Sequence, residues 1–208
     1  MILLIDCSKG LHLILGNKQK ITATSFKPRL KKVSESLVLE IENLLKSKKK
    51  SYKNLSKIIV INGPGSFTGI RTGVTVAKVL GLTLNIPVCG ISLFDLLILQ
   101  HAKIKTKKDQ KFLVHLNNER FFVQDVYKSG KKSEVNIIDF ETVLLSDIID
   151  FELVSIDNKV IKSLRIIRKH NLEYNLFIYN DIFYKSYKFL VNLSEKKYNP
   201  NPLYVKTF

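Results

Sequence analysis

Cysteine is almost missing from this chain: Cys7 and Cys89 are the only two in 208 residues. That excludes a disulfide framework, and both thiols read as small buried hydrophobes. Histidine is scarce as well. His12, His101, His115 and His170 show no i, i+4 or H-E-x-x-H spacing, and no C-x-x-C accompanies them, so the sequence offers no metal site. No apolar run approaches the ~18 residues of a bilayer span. Met1–Ile5 meets Asp6 without a basic stretch or a small-residue cleavage site, which points to the cytoplasm and to no membrane partner. Nine Gly and five Pro exclude collagen-like and low-complexity classes. Acids are few: 18 Asp and Glu face 34 Lys and Arg, a net charge of +16. Polyanions are therefore natural partners. Arginine is also short, with 29 Lys and 5 Arg. Lysine scattered in this way more often solvates a surface than reads phosphates in bidentate fashion.

What is present is the material of a folded core, 45% hydrophobic and 10% aromatic. Met1–Asp6, Leu11–Gly16 and Lys20–Phe26 read as a strand meander. Ser34 to Lys46 places Leu37, Ile41, Leu44 and Leu45 at helical spacing, with Ser34 as N-cap. A Lys-rich connection leads to a buried-type strand, Lys57–Ile61. A second helix runs from Ser66 to Asn85 before Pro87, a strand follows at Ile86–Gly90, and Ser92 caps a helix to about His101. Lys103–Lys111 is a charged bridge, which divides the chain into residues 1–102 and a smaller unit 103–208 whose last residues pack back on the first. Strands are expected at Phe112–Asn117, Arg120–Tyr127, Val135–Asp139, Glu152–Ile156 and Tyr174–Tyr179, with helices at Asp157–His170 and Asp181–Leu193. No internal repeat of fixed period is present.

The segment richest in chemistry is N-G-P-G-S-F-T-G-I-R-T-G, Asn62 to Gly73. A strand, a Gly-rich turn and a helix start occur there in order, a junction that aims backbone N–H groups and a positive helix end at one point. Gly63, Gly65, Ser66, Thr68 and Gly69, with Arg71 nearby, could hold an anion or a nucleotide, and Asp6 and Ser8 at the end of the first strand could join them. The competing reading is purely structural: two glycines and a proline for a tight turn, and Asp6 capping its own turn. No Walker A, G-x-G-x-x-G or G-x-S-x-G pattern fits. Asp147 and Asp150 read as part of an amphipathic surface segment. Gly69, Gly73, Ala77 and Gly81 recur every four residues, a smooth helical stripe that admits either the chain's own sheet or a neighbouring subunit.

Val60 to Ser92, V-I-N-G-P-G-S-F-T-G-I-R-T-G-V-T-V-A-K-V-L-G-L-T-L-N-I-P-V-C-G-I-S, closely resembles the signature of the bacterial TsaB (YeaZ) family. Ile2–Ser8 is similar to its opening strand and D-T-S turn. Ser34-Glu35 precedes a helix as in the family, and Pro202-Leu203-Tyr204-Val205-Lys206 is similar to its closing segment. The resemblance implies an α/β, actin-like (RNase H-type, ASKHA) fold of two subdomains. It implies a non-catalytic subunit of the machinery that makes N6-threonylcarbamoyladenosine at position 37 of tRNAs reading ANN codons. The implied partners are the paralogue TsaD as heterodimer and the ATPase TsaE, with a homodimer as the alternative and tRNA reached through the complex. ATP and a metal ion belong to those partners, and this chain carries no cofactor of its own. In that picture Leu37, Ile41 and Leu45, with Gly69, Gly73, Ala77 and Gly81, lie in or under the partner interface. The chain departs from the family at Val33, where many relatives have histidine, and in Asn117–Phe122, where a D-x-R-x-x-E-V-Y strand is degraded. The other readings are an actin-fold phosphotransferase or peptidase acting alone through Asp6, Ser8 and the Gly63–Gly69 loop, and a nucleic-acid-binding module driven by charge. On the interface reading, Gly73→Leu weakens the association with TsaD, measured by co-purification.

Overall fold

The computed structural model describes residues 1–28, 30, 32–102, 108–117, 120–139, 151–156, 174–194 and 200–203. Its contacts divide the chain into a first unit, Met1–Leu93 with Ser186–Tyr204, and a second, Phe94–Lys185 with Val205–Phe208. The cut at Leu93 falls nine residues before the sequence boundary at 102, and the return begins at Ser186.

The first unit is built on a five-stranded sheet. Its strands are β1 (Ile2–Asp6), β2 (Leu11–Gly16), β3 (Ile21–Lys27), β4 (Lys57–Ile61) and β5 (Val88–Ile91), in the order β3-β2-β1-β4-β5. β1, β2 and β3 form an antiparallel meander, whereas β4 and β5 add in parallel to β1. Central strands covered on both faces need near-continuous apolar runs, and I-L-L-I of β1 and I-I-V-I of β4 are fully buried. β3, at the edge, is largely half-exposed.

Alternate residues of the central strands, Leu3, Ile5, Leu11, Leu13, Leu15, Ile58 and Val60, share one core with two helices. These are α1 (Val33–Lys46), which contributes Leu37, Ile41, Leu44 and Leu45, and α2 (Phe67–Leu84), which contributes Ile70, Val74 and Ala77. The N-cap of α1 is Lys32, without a side-chain cap bond, and Ser34 lies inside the first turn. The sequence expectation of Ser34 as cap is thus corrected. The helix starts two residues earlier, where the Ser36 amide reaches the Lys32 carbonyl at 3.2 Å. α2 behaves as its sequence predicts: Ser66 Oγ accepts the Gly69 amide at 3.2 Å, and Asn85 closes the helix at φ +51°.

Residues 186–193 also belong to this unit. Lys57 Nζ donates to the carbonyls of Val191, at 2.9 Å, and Leu193, satisfying groups that a helix end leaves open. Tyr187 donates its hydroxyl to the Asn17 carbonyl at 2.8 Å. Burial raises the phenol to about 12, so it remains a donor across the neutral range. Gly16 is where this contact needs glycine, because a Cβ would stand 2.0 Å from Tyr187 Oη and 2.6 Å from the Lys20 carbonyl oxygen.

The second unit repeats the pattern. Its strands are β6 (Asp109–Asn117), β7 (Arg120–Val126), β8 (Asn136–Asp139), β9 (Phe151–Ser155) and β10 (Tyr174–Leu176), in the order β10-β9-β6-β7-β8. Again a central strand carries an antiparallel meander on one side and two parallel strands on the other. Helix α3 (Leu93–His101) begins directly after Ser92, and α4 runs Tyr179–Val191. The last expected strand therefore ends at Leu176 rather than Tyr179, and β6 begins inside the charged bridge because Lys111 is neutralised by Asp125 at 2.7 Å. The core holds a buried pair, His101 and Glu152, 3.3 Å apart, with Asn175 donating to the carboxylate and Phe112 edge-on to the imidazole. The expected helix Asp157–His170, Asp147, Asp150 and Tyr204–Lys206 lie outside the described residues. Two sheets of this shared order, with helices packed on them, form the actin-like α/β architecture.

Tyr187→Phe is expected to cost about 1 kcal/mol through the lost hydrogen bond, and Gly16→Ala about 1–3 kcal/mol through overpacking. Urea unfolding of both variants checks this; a loss in Gly16→Ala well below about 1 kcal/mol would contradict the steric account.

Candidate functional site

β4 ends at Ile61, and Asn62-Gly63-Pro64-Gly65 carries the chain across to α2. Gly63 and Gly65 take φ of +134° and +158°, and the Gly63–Pro64 peptide is cis. At Gly65 a side chain has no room, since a Cβ would lie 2.6 Å from the Ser8 Cβ and 2.7 Å from its carbonyl oxygen. The loop therefore presses directly on the β1–β2 turn. Ser66 donates its amide to the Ser8 carbonyl at 2.9 Å, and the Ser8 amide donates to the Asp6 carboxylate at 2.8 Å. One turn along α2, a Cβ on Gly69 would approach the Cys7 carbonyl oxygen to 2.1 Å.

The structure thus gathers Asp6, Ser8, Gly65, Ser66 and Gly69 at one junction, as the motif leads one to expect. The chain itself takes up three of the junction's amides. The Ser66 amide is taken by Ser8, the Gly69 amide by Ser66 Oγ, and the Ile70 amide by the Ser66 carbonyl at 2.8 Å. An anion cradle needs donors that the fold has not already used, and these three are used. Asp6 is buried and caps its own turn. Thr68 and Arg71 are exposed, and the Arg71 guanidinium lies 3.8 Å over the Phe67 ring. On the outer side of the loop, Leu203 donates its amide to the Asn62 carbonyl at 2.7 Å, and Asn62 donates its side-chain amide to the Asn201 carbonyl at 3.0 Å. The sequence marks Asn62 in the Gly-rich segment and Leu203 in the closing one, but not Asn201 and not that the three meet, because a contact 139 residues away leaves no local pattern. Burial pushes the Cys7 thiol well up, with the Asp6 carboxylate adding to the effect, so Cys7 is not poised as a nucleophile. Among the described residues no three of His, Cys, Asp and Glu come together to hold a metal ion. No described helix is long and apolar enough to cross a membrane.

The small-residue stripe has its occupant within the first unit. A Cβ on Gly73 would meet Cys7 Sγ at 3.1 Å, and one on Gly81 would meet a Val88 methyl at 2.2 Å. Ala77, Leu37 and Ile41 are wholly buried, and Leu45 is 1% exposed. These seven positions lie beneath the helices, so Gly73→Leu would act on the chain's own core before it could act on any neighbour. The outward side differs. α1 exposes Val38 and Leu39, and α2 exposes Phe67, Val79 and Leu82, the last at 84%. Thr75, Val79 and Leu82 recur at i, i+4 and i+7, which makes one exposed stripe. Beside it, an open groove of about 670 Å³ is lined by Lys78, Leu82, Asn85, Ile86, Pro87 and Pro200 among others.

His12 sits opposite Asp6 in the β1–β2 register, buried and edge-on to Phe26. Burial lowers its pKa from 6.5 to about 4. The unfolded chain then binds the extra proton first, so this contribution to stability is complete above about pH 6.5 and is lost as pH falls toward 4. The whole effect is on the order of 3 kcal/mol. In His12→Gln the fall of the urea midpoint between pH 7 and 4.5 should be correspondingly shallower than in the parent; parallel curves would rule this out. Gly69→Ala should destabilise by on the order of 1–3 kcal/mol, read from thermal unfolding.

The profile of the family described as "tRNA N6-adenosine threonylcarbamoyltransferase", TsaD, matches residues 26–117. The tRNA threonylcarbamoyladenosine biosynthesis protein TsaB of Bacillus subtilis (strain 168) is 44% identical over 57 residues, 27% of this chain and 25% of that protein. The protein of the same name from Buchnera aphidicola subsp. Schizaphis graminum is 34% identical over 117 residues, 56% of this chain and 55% of that one. The chain thus spans about a quarter and about half of the lengths of these curated relatives. Among solved structures, a Pseudomonas aeruginosa protein described as having similarity to peptidase YEAZ superposes with a TM-score of 0.64 at 15% identity, covering 99% of each chain. That likeness is one of fold.

Proposed function

We propose that this chain is a member of the TsaB (YeaZ) family, as its partial matches to curated TsaB proteins support, and that it is an accessory subunit for tRNA threonylcarbamoyladenosine formation, without catalysis of its own. Its work is to pair with the catalytic paralogue TsaD and to recruit the ATPase TsaE, so that N6-threonylcarbamoyladenosine forms at position 37 of tRNAs reading ANN codons. ATP and the metal ion are held by those partners.

The observation that carries the reading is the contrast between a junction whose Ser66, Gly69 and Ile70 amides are already used and an open helical face. The strand-to-helix turn that a phosphate-handling relative would use spends three of its amides, those of Ser66, Gly69 and Ile70, on Ser8 and Ser66. Meanwhile Val38, Leu39, Val79 and Leu82 stand in solvent on α1 and α2, helices that pack on each other. Exposed apolar side chains grouped on adjacent helices mark a docking surface for another protein. The buried glycines support it from beneath: they set α2 close to the sheet and leave its outer stripe for a partner. A neighbouring helix pair is the complement such a surface takes, because ridges of Val and Leu interdigitate with those of another helix.

The test is co-purification of the chain with the TsaD of its own source, with and without TsaE and ATP, followed by modification of tRNA supplied with threonylcarbamoyl-adenylate. The expectation is a stable pair that modifies tRNA only in the presence of this chain. Leu39→Asp combined with Leu82→Asp should weaken pairing by roughly 1–3 kcal/mol per site while leaving the unfolding midpoint nearly unchanged. Unaltered pairing in that variant would refute the assigned face.

A further inference from the structure

Most of the chain's excess charge sits in residues 1–93, where fifteen Lys and Arg face only four acids, Asp6, Glu35, Glu40 and Glu42. No acid occurs between Glu42 and Asp95. Asp6 is buried against the Ser8 amide, and the other three are paired, Glu35 with Lys32, Glu40 with Lys27 and Glu42 with Lys46. The remaining lysines of the first unit therefore have little negative charge beside them.

The fold gathers six of these lysines on one edge of the sheet. Lys18 and Lys20 lie in the β2–β3 turn, Lys48, Lys49 and Lys50 just past α1, and Lys53 in the 3₁₀ turn Tyr52–Asn54. Three contacts tie these segments together. Ile2 pairs with Gly16, which brings the β2–β3 turn beside Met1. The Met1 carbonyl accepts the Ser56 amide at 2.8 Å, and the Met1 amine donates to the Asn54 carbonyl at 2.6 Å. Lys50 is near enough to help burial lower the pKa of that amine. All six lysines are exposed, and among the described residues none is ion-paired. The turn that carries three of them is fixed in shape, with Lys49 at φ +53° and the Lys50 amide bonded to the Leu45 carbonyl at 3.0 Å.

Attraction to the negative end of α1 explains cations in and just past its last turn, but it falls off beyond that turn. It does not account for Lys18, Lys20 or Lys53. The residues between and beside the lysines are Asn17, Gln19, Ser47, Ser51, Tyr52 and Asn54; five are neutral hydrogen-bonding groups, and Tyr52 is half-buried with its hydroxyl donated to the Val38 carbonyl at 3.2 Å. A lipid surface asks for apolar side chains to insert among the cations, and the large exposed hydrophobics of this unit lie outside these segments. A phosphate backbone asks only for spaced point charges and polar neighbours. Lysine rather than arginine suits contact that is indifferent to sequence.

We propose that this edge of the first unit is a contact surface for the phosphate backbone of RNA, formed by Lys18, Lys20, Lys48, Lys49, Lys50 and Lys53. The proposal deepens the reading above and rests on it for the identity of the RNA as tRNA. The surface lies at the starts of β1 and β4, the end of the sheet away from the Gly63–Gly69 junction, so RNA and the β4–α2 loop do not compete for space.

The experiment uses the isolated full chain and a fluorescein-labelled RNA hairpin, with anisotropy read between about 50 and 200 mM KCl; six contacts at a slope of about −0.7 to −0.9 each predict a loss on the order of 10²–10³-fold across that range. Lys48→Glu with Lys50→Glu, and separately Lys18→Glu with Lys20→Glu, should each weaken binding by about ten-fold or more and flatten the slope by about 2. Lys128→Glu with Lys131→Glu, an equal charge change in the second unit, should change affinity by less than about three-fold. Equal losses in all three variants would overturn the proposal in favour of diffuse charge, and absence of binding by the parent at low salt would overturn it outright. Vesicles containing phosphatidylserine serve as the competing probe: binding to them as tight as to RNA, lost in the same variants, would assign the edge to lipid instead. Because no partner protein is present, failure here leaves pairing with TsaD untouched, and failure of that pairing leaves the RNA result standing.

Discussion

The close seating of α2 on the β1–β2 turn is the contact on which the first unit depends. Carbonyls of Cys7 and Ser8 lie where side chains at positions 69 and 65 would otherwise be. Glycine at both places lets backbone meet backbone, and the Ser66 amide converts that proximity into a hydrogen bond. The rest of the helix follows from this anchor: Gly73 and Ala77 continue the smooth side, and Ile70 and Val74 enter the core shared with β1, β2 and β4. Close backbone approach of this kind excludes water and satisfies the amides at the helix start. It also spends the Ser66, Gly69 and Ile70 amides within the chain, so one packing solution bears both on stability and on what the junction can offer an anion.

With the interior closed, chemistry that reaches other molecules is left to outer surfaces, and these are segregated. Exposed apolar side chains stand on α1 and α2, while lysines with no ion pair among the described residues cluster at the starts of β1 and β4. The separation is physically sensible, because a hydrophobic interface is weakened by desolvating nearby charge, whereas a charged contact gains from staying wet. The second unit reuses the same strand order around β6, and it places an ionisable pair, His101 and Glu152, inside its core. Burying such a pair is costly unless both partners stay together, and Asn175 holds the carboxylate in place.

Elements whose signals are local were legible in the sequence. The second helix was readable at both ends because Ser66 and Asn85 act within a turn of themselves. β1 and β4 were readable because complete burial demands uninterrupted apolar residues. Where a distant partner decides, the reading slipped. Ser34 has the chemistry of a cap, yet the helix starts at Val33. Asp109–Lys111 looks like a solvated bridge, yet pairing with β7 and neutralisation by Asp125 draw it into β6. The duplicated sheet order left no periodic trace, since topology repeats without any repeat of residue types.

By itself the sequence determined that a Gly-rich strand-to-helix junction exists, that α2 carries a small-residue stripe, and that lysine far outnumbers acid. Each of these is a property of neighbours along the chain, where backbone preference and spacing are sufficient. Only the tertiary structure decided what the stripe faces, which amides of the junction are already used, and which lysines come together. Those outcomes depend on contacts such as Gly69 with Cys7, Leu203 with Asn62, and Met1 with Ser56. Residues 55 to 141 positions apart meet there, and the free energy of each meeting is set by the whole packed core rather than by either residue's own preference.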